Sequence, residues 1–330
     1  MSAGARGRVV TVGETLGLLR APTVGPLRAM RSLDLGVAGA ESNVAIGVSR
    51  LGHPASWHGC VGDDELGRLV VTALRGEGVD VNARVVDDLP TALMLREHRT
   101  SDVTHVSYYR GGLAGSQLDA SDVENLALRP GDILHVTGIM PALGAGPLAA
   151  VRRAVERARA VGARVSFDVN HRAALWSASE ASAPLRSLAA SADILFAGPE
   201  ELSLLVGPSA GSPAPNGEPD DHERAIEAAQ ALGPSEVVLK LGAAGAKARA
   251  GVEGAMARPP KVVAVDPIGA GDAFVAGYLS GVLDSLPLAD RLRRACAVGA
   301  FAVTAHGDWE SLPRRDELAL LDYEPGTTLR

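Results

Sequence analysis

Short apolar runs alternate along the chain with longer stretches of helical periodicity. Val9 to Val12, Ile133 to Val136, Arg164 to Asp168, Ile194 to Phe196 and Val237 to Leu241 read as strands. Helical stretches, notably Leu148 to Val161 and Ala181 to Ala190, lie between them. That alternation predicts an α/β fold with a mostly parallel central sheet flanked by helices. Val44, Val48 and Leu51 share one helical face, and Gly52 supplies its stop. A further helix runs from Leu66 to Arg75 and closes at Glu77-Gly78; Asp63, Asp64 and Glu65 in its first turn suit the helix dipole better than a metal. Val262 to Val265 reads as a short buried strand. After Asp272, the residues Ala273, Phe274, Ala276, Tyr278, Leu279, Val282 and Leu283 recur at helical spacing.

Two regions depart from the alternation. Residues 16–36 are patchy and interrupted by Pro22, Gly25 and Pro26. Thr91 to Glu97 and Val103 to Arg110 are β-like runs separated by a polar turn, His98 to Asp102, and read as a hairpin. Segments 16–36 and 91–110 together predict a small β lid on an otherwise single domain spanning 1–330. Within the hairpin, Tyr108 and Arg110 are two apart and face the same way in a strand, which suits an anionic, hydroxylated ligand. Residues 207–221 read as a surface loop.

Composition narrows the function classes. The chain has 330 residues, 46% apolar and 22% charged, a globular balance. A net charge of −7 offers no basic surplus for nucleic acid. Cys60 and Cys296 lack metal-like spacing and read as buried free thiols in a reducing compartment. Met1 to Arg8 has no apolar signal core and reads as a frayed tail. The longest uncharged run, Ile133 to Val151, is broken by Gly138, Pro141, Gly144, Gly146 and Pro147, so no membrane helix is expected. A cytoplasmic, soluble protein without nucleic-acid or membrane partners is the expectation.

The chemistry concentrates in Asp266-Pro267-Ile268-Gly269-Ala270-Gly271-Asp272, between the expected strand and helix. Gly269 and Gly271 allow a sharp bend and close approach of a ligand. The helix that follows presents unpartnered N–H groups and a partial positive charge, an anion site made of backbone. A carboxylate there, Asp272, suggests a metal ligand or a base for an attacking hydroxyl. Gly13-Glu14 after the first strand begins no Gly-x-Gly-x-x-Gly, which disfavours a nicotinamide oxidoreductase. No Gly-x-x-x-x-Gly-Lys-Ser/Thr is present either.

The same seven residues resemble the C-terminal signature of the ribokinase (pfkB-type) sugar kinases, with Pro267 in place of Thr as in the 2-keto-3-deoxygluconate kinase branch. Ala38-Gly39-Ala40-Glu41-Ser42-Asn43-Val44-Ala45 resembles the N-terminal signature, and Val61-Gly62-Asp63-Asp64-Glu65-Leu66-Gly67 is also similar. The resemblance implies a ribokinase-like fold, ATP and Mg2+ as cofactors, and a homo-oligomer. It implies Asp272 as catalytic base, with the Gly269-Ala270-Gly271 backbone neutralising developing charge. Gly39 and Asn43 carry over as substrate-binding residues. So do Tyr108 and Arg110 of the Tyr-Tyr-Arg run, Arg172 of Asp-x-Asn-x-Arg, and Asp308 of Gly-Asp-x-Glu. Asn170, Lys240, Gly242 and Gly245 are implied on the nucleotide side, with His171 a loop filler. Glu201 supports magnesium through water, although Gly198 stands where the family has Asn.

The substrate implied is a keto-sugar acid, 2-keto-3-deoxygluconate foremost. Arg110 and Arg172 would leave uncompensated charge in a neutral-sugar pocket, and the guanidinium fork matches a carboxylate. Leu18 stands where many neutral-sugar kinases carry an Asp. The alternatives are a fructokinase or other neutral-sugar kinase of this fold, and a non-catalytic sugar sensor.

Overall fold

The computed structural model describes residues 7–100, 103–207, 220–323 and 327–328. Residues 1–6 of the tail, 101–102 of the polar turn and 208–219 of the surface loop lie outside the described residues. The strands are β1 (Val9–Val12), β2 (Leu16–Arg20), β3 (Asp34–Ala38), β4 (Ala55–Gly62), β5 (Asp80–Val86), β6 (Leu93–His98), β7 (Thr104–Tyr109), β8 (Ile133–Thr137), β9 (Arg164–Asp168), β10 (Ile194–Ala197), β11 (Glu236–Lys240), β12 (Ala246–Ala250) and β13 (Glu253–Ala257). The helices are α1 (Ala40–Arg50), α2 (Glu65–Gly76), α3 (Ala145–Ala160), α4 (Ala178–Ala189), α5 (Pro199–Val206), α6 (Asp220–Gln230), α7 (Ala270–Leu283) and α8 (Leu288–Ala302).

Among the described residues, nine strands form the main sheet in the order β13-β12-β11-β10-β9-β8-β1-β4-β5. The run from β11 to β5 is parallel throughout, and only β12 and β13 add antiparallel at one edge. Helices cover both faces, so the central strands are apolar on both sides and read as continuous runs. In β10, Ile194 and Phe196 face one core while Leu195 and Ala197 face the other. The first core holds α1, α2, α7 and α8 against the sheet, and the second holds α3 to α6.

α7 is buried over a long unbroken run: every residue from Asp272 to Gly281 is buried. A helix apolar on all sides belongs in a core. Phe196 meets Phe274 and Tyr278 edge-on, with ring centroids 6.5 and 5.3 Å apart, and the Tyr278 hydroxyl donates to Glu236 Oε2 at 3.0 Å. These contacts fix the N-terminus of α7 beyond the carboxyl ends of the parallel strands.

The departures from alternation form a second, four-stranded sheet, β3-β2-β6-β7. β6 and β7 pair as the expected hairpin, and β2 pairs with β6 in parallel. Asp64 caps α2 by accepting from Gly67 N at 2.7 Å, and also accepts from Thr91 N, which ties α2 to the chain entering β6. No helix among the described residues is long and apolar enough to cross a membrane.

One expected element is absent. Val262 to Val265 forms no strand, and Val263 is 84% exposed. Pro259 and Pro260 remove two donors just ahead of the segment. Val265 N and Asp266 N instead donate to Val303 O beyond α8.

Candidate active site

A cavity of about 690 Å3 lies between the carboxyl ends of the main-sheet strands and the small sheet. Open α/β sheets hold ligands at that place, and the volume suits a small molecule. Its walls bring together Gly39, Asn43, Tyr108, Arg110, Asn170, Arg172, Glu201, Lys240, Gly269, Gly271, Asp272 and Asp308. These residues span almost the whole sequence. Ala270, Gly242 and Gly245 are outside the wall; the last two belong to the turn just past Lys240.

The N-termini of α1 and α7 converge there. Gly39 caps α1, and a Cβ on it would come 2.4 Å from the Glu14 carbonyl oxygen, so only glycine permits this approach. Gly269 caps α7 at φ +77°, and a Cβ there would lie 2.1 Å from Asp308 O. Left-handed backbone and close packing both demand glycine. A side chain at 271, by contrast, would meet nothing within 4 Å. Gly269 and Gly271 line the cavity, while Ala270 N reaches back to Pro267 O at 3.4 Å; a helix N-terminus opening on a cavity suits an anion.

Asp272 is 9% exposed. Its Oδ2 accepts from Asn43 Nδ2 at 2.9 Å. Burial pushes its pKa up to about 6; the Asn43 bond and the Arg172 charge lower it, and Asp168 raises it. A base poised there remains ionised at neutral pH and still takes a proton readily. Lys240 Nζ donates to both oxygens of Asp168 at 2.7 Å. Burial alone would lower the Lys240 pKa, but the carboxylates of Asp168, Glu201 and Asp272 raise it above its ordinary value.

Glu201 accepts from His171 N at 2.9 Å and from Gly198 N at 2.6 Å, so it fastens the β9 loop to the start of α5. Glycine at 198 suffices because its backbone makes that contact. Asn170, in the same loop, has φ +36°, which is rare for a residue other than glycine. Arg172 is exposed, lines the cavity, and makes no ion pair among the described residues.

Of the two guanidiniums expected to lack compensation, Arg110 is in fact paired. Arg110 stacks over the Tyr108 ring at 5.3 Å, as their spacing suggested, but its Nη2 is paired with Glu14. Glu14 is itself buried on the cavity wall. Burial raises the Glu14 pKa while Arg110 lowers it, with a net rise. Of the two arginines on the cavity wall, Arg172 alone has no ion pair among the described residues. Leu18 is buried within the small sheet, two residues from Leu16, which lines the cavity.

Sequence reasoning missed three buried charged groups. One is Glu14. Another is Glu41, on the wall, whose Oε1 accepts from Thr137 Oγ1 at 2.6 Å and whose pKa burial pushes to about 7. The third is Arg96, fully buried, which donates to Asp308 Oδ1 at 2.7 Å and lies 3.6 Å from Asp266 Oδ2. Asp308 is pushed up to about 7 by burial, against the lowering effect of Arg96. The local signals were ordinary: an acid after a strand, an acid in a helix first turn, an arginine in a polar-edged hairpin.

Comparison with known proteins bears on this site. The family model of the pfkB family carbohydrate kinases matches residues 6–315. The 2-dehydro-3-deoxygluconokinase of Bacillus subtilis (strain 168) is 36% identical over 314 residues, 94% of each chain. A fructokinase of Klebsiella pneumoniae is 36% identical over 299 residues, 85% of this chain and 90% of its own. Among solved structures, an E. coli protein carrying a ribokinase II description, in complex with ATP and Mg2+, is similar with a TM-score of 0.85 and 27% identity. It covers 96% of this chain and 99% of its own.

Proposed function

The chain belongs to the pfkB family of carbohydrate kinases, and from that premise we propose that it transfers the γ-phosphoryl group of ATP to a hydroxyl of a keto-sugar acid. The substrate that fits best is 2-keto-3-deoxygluconate, the 2-dehydro-3-deoxygluconate of the Bacillus relative's name. The observation that carries the choice is Arg172, a guanidinium on the cavity wall with no ion-pair partner among the described residues. A substrate carboxylate supplies that partner through two charge-assisted hydrogen bonds.

In this reading Asp272 takes the proton from the attacking hydroxyl. Asn43 holds one of its oxygens and leaves the other for substrate. The backbone N–H groups at Gly269, Ala270 and Gly271 stabilise charge developing on the transferred group. Tyr108, Asp308, Gly39 and the Glu14-held Arg110 bind the sugar. Asn170 and Lys240 bound the nucleotide side, with the turn of Gly242 and Gly245 beyond them.

The donor set also fits Mg2+ held largely by water and phosphate. Near Lys240 the carboxylates are already engaged, Asp168 by Lys240 and Glu201 by two backbone N–H groups. Mg2+ keeps several waters and seldom needs an all-protein cage. When bound it neutralises phosphate charge. Glu201 remains able to contact a metal-bound water with its unused lone pairs.

Cys60 and Cys296 are buried and free, which suits a reducing, cytoplasmic setting. We also expect a homo-oligomer, which light scattering on the purified protein checks.

The test of substrate is kcat/KM for 2-keto-3-deoxygluconate and for fructose, with ATP, in wild type and Arg172→Ala. The wild type should prefer the acid. The variant should lose about 10–100-fold toward the acid, the worth of a hydrogen bond to a charged group. It should lose little toward fructose. A wild type that prefers fructose overturns the sugar-acid reading, and equal losses assign Arg172 to ATP or to the loop.

A further inference from the structure

His98 ends β6 in the small sheet, Asp266 opens the turn ahead of α7, and His306 lies in the loop after α8. One ligand atom from each lies within 4.8 Å of the others. Two of the three are orphaned: His98 Nε2 and Asp266 Oδ2 are buried and make no hydrogen bond. His98 is 8% exposed and Asp266 1%. Buried polar atoms normally find a partner, and an unfilled pair calls for an explanation. Arg96 forms a long ion pair with Asp266, its Nη2 3.6 Å from Oδ2, beyond hydrogen-bond reach, and a shorter one with Asp308 at 2.7 Å, so the Asp266 oxygen still lacks a hydrogen bond.

We propose that His98, Asp266 and His306 form a binding site for a divalent transition-metal ion, Zn2+ foremost, which fastens the small sheet to the turn that carries the candidate base. Two imidazoles and one carboxylate select Zn2+, Co2+ or Ni2+ over Mg2+ and Ca2+, which favour oxygen. His98 Nδ1 lies 3.1 Å from Thr104 Oγ1. An N–H donated to that hydroxyl leaves the Nε2 lone pair facing the cluster, the outer-shell contact common to metal-binding histidines. His306 Nδ1 lies 3.7 Å from Asp266 Oδ2, and its ring is 5.2 Å from that of His98. The His306 side chain is 54% exposed, which gives an ion its way in and leaves room for water ligands.

The spacing gives the site a mechanical consequence. Metal–ligand bonds of about 2.0–2.2 Å keep ligand atoms within roughly 4 Å of one another. Binding therefore draws β6 toward the turn and restrains the small sheet. The site lies outside the cavity wall and is independent of which sugar the protein uses.

The test is titration of tag-free, metal-stripped full-length protein with Co2+, followed by visible absorption, and with Zn2+, followed by calorimetry. The expected result is one saturable equivalent with d–d bands, lost in His98→Ala and in His306→Ala. Thr104→Val should weaken binding about tenfold. Hydrogen exchange in residues 93–98 should slow on adding Zn2+ to the wild type and stay unchanged in His306→Ala. Absence of saturable binding in the wild type overturns the proposal, and so does binding that survives His306→Ala. Should His98→Ala fail to fold, His306→Ala decides alone, because its side chain is exposed.

Discussion

At the scale of single residues, the site depends on how a few acids are held. Asp272 is buried, lifted to about 6 and bonded to Asn43. Asp272→Asn should lower kcat by about 10²–10⁴-fold, the usual worth of a general base, while ATP titration still reports binding. Near wild-type turnover in that variant would remove Asp272 from the mechanism. The pH profile has a definite sign. A base must be deprotonated, so kcat/KM should fall as pH drops through about 6. The bond from Asn43 favours the charged carboxylate, so Asn43→Ala should move the acid limb upward, by about one unit or less. An unmoved limb would mean that Asn43 serves substrate alone. Gly269→Ala places a side chain at left-handed backbone and against Asp308 O. Strain of about 1–3 kcal/mol, before any clash, should appear in chemical denaturation together with loss of turnover.

At the scale of elements, the parallel strands and α7 form the frame, and the small sheet stands over the cavity. Leu16, Met94, Val106 and Tyr108 of that sheet face the ligand space. Its own apolar cluster is small, which marks a cooperative unit of lower stability than the main cores. Closure over substrate would exclude the water that competes for the phosphoryl group. Hydrogen exchange in 16–20, 34–38, 93–98 and 104–109 should slow when sugar and nucleotide are both present. Equal exchange with and without ligands would make the sheet a fixed wall. The segment 262–265 teaches the reverse lesson about elements. Its valines have strand propensity, but two prolines precede them and the N–H groups of Val265 and Asp266 go to Val303 O. Propensity proposes a strand, and an available partner is needed to accept it.

At the scale of the whole molecule, buried acids couple folding to pH. Burial raises Asp272 to about 6 and Glu41 and Asp308 to about 7. A carboxyl whose folded pKa exceeds its unfolded value binds more protons when folded, so its contribution to stability is present at low pH and lost as pH rises through the folded value. The window here runs from about 4 to about 7. Glu41→Gln removes the charge and leaves an acceptor for Thr137, so it should stabilise the protein at pH 8 by about 1–3 kcal/mol. The gain should shrink toward pH 5. Denaturant unfolding of both proteins at the two pH values measures it, and a pH-independent difference would show that Glu41 is already neutral at pH 8.

The sequence by itself determined the fold class, the family and most of the residues that line the cavity. Two-sided burial writes itself as continuous apolar runs, helices as their own period, and the turn ahead of Asp272 as a glycine, Gly269, at left-handed backbone. These are local constraints, so a local reading recovers them. The tertiary structure alone decided the partners of charges. Arg110 belongs to Glu14, 96 positions away in sequence, and Asp308 belongs to Arg96, 212 positions away. Nothing near either residue reveals the other. Desolvation and pairing depend on what the fold brings within a few ångströms, so which guanidinium is left unpaired and which acid is lifted by burial can be read only from the tertiary structure.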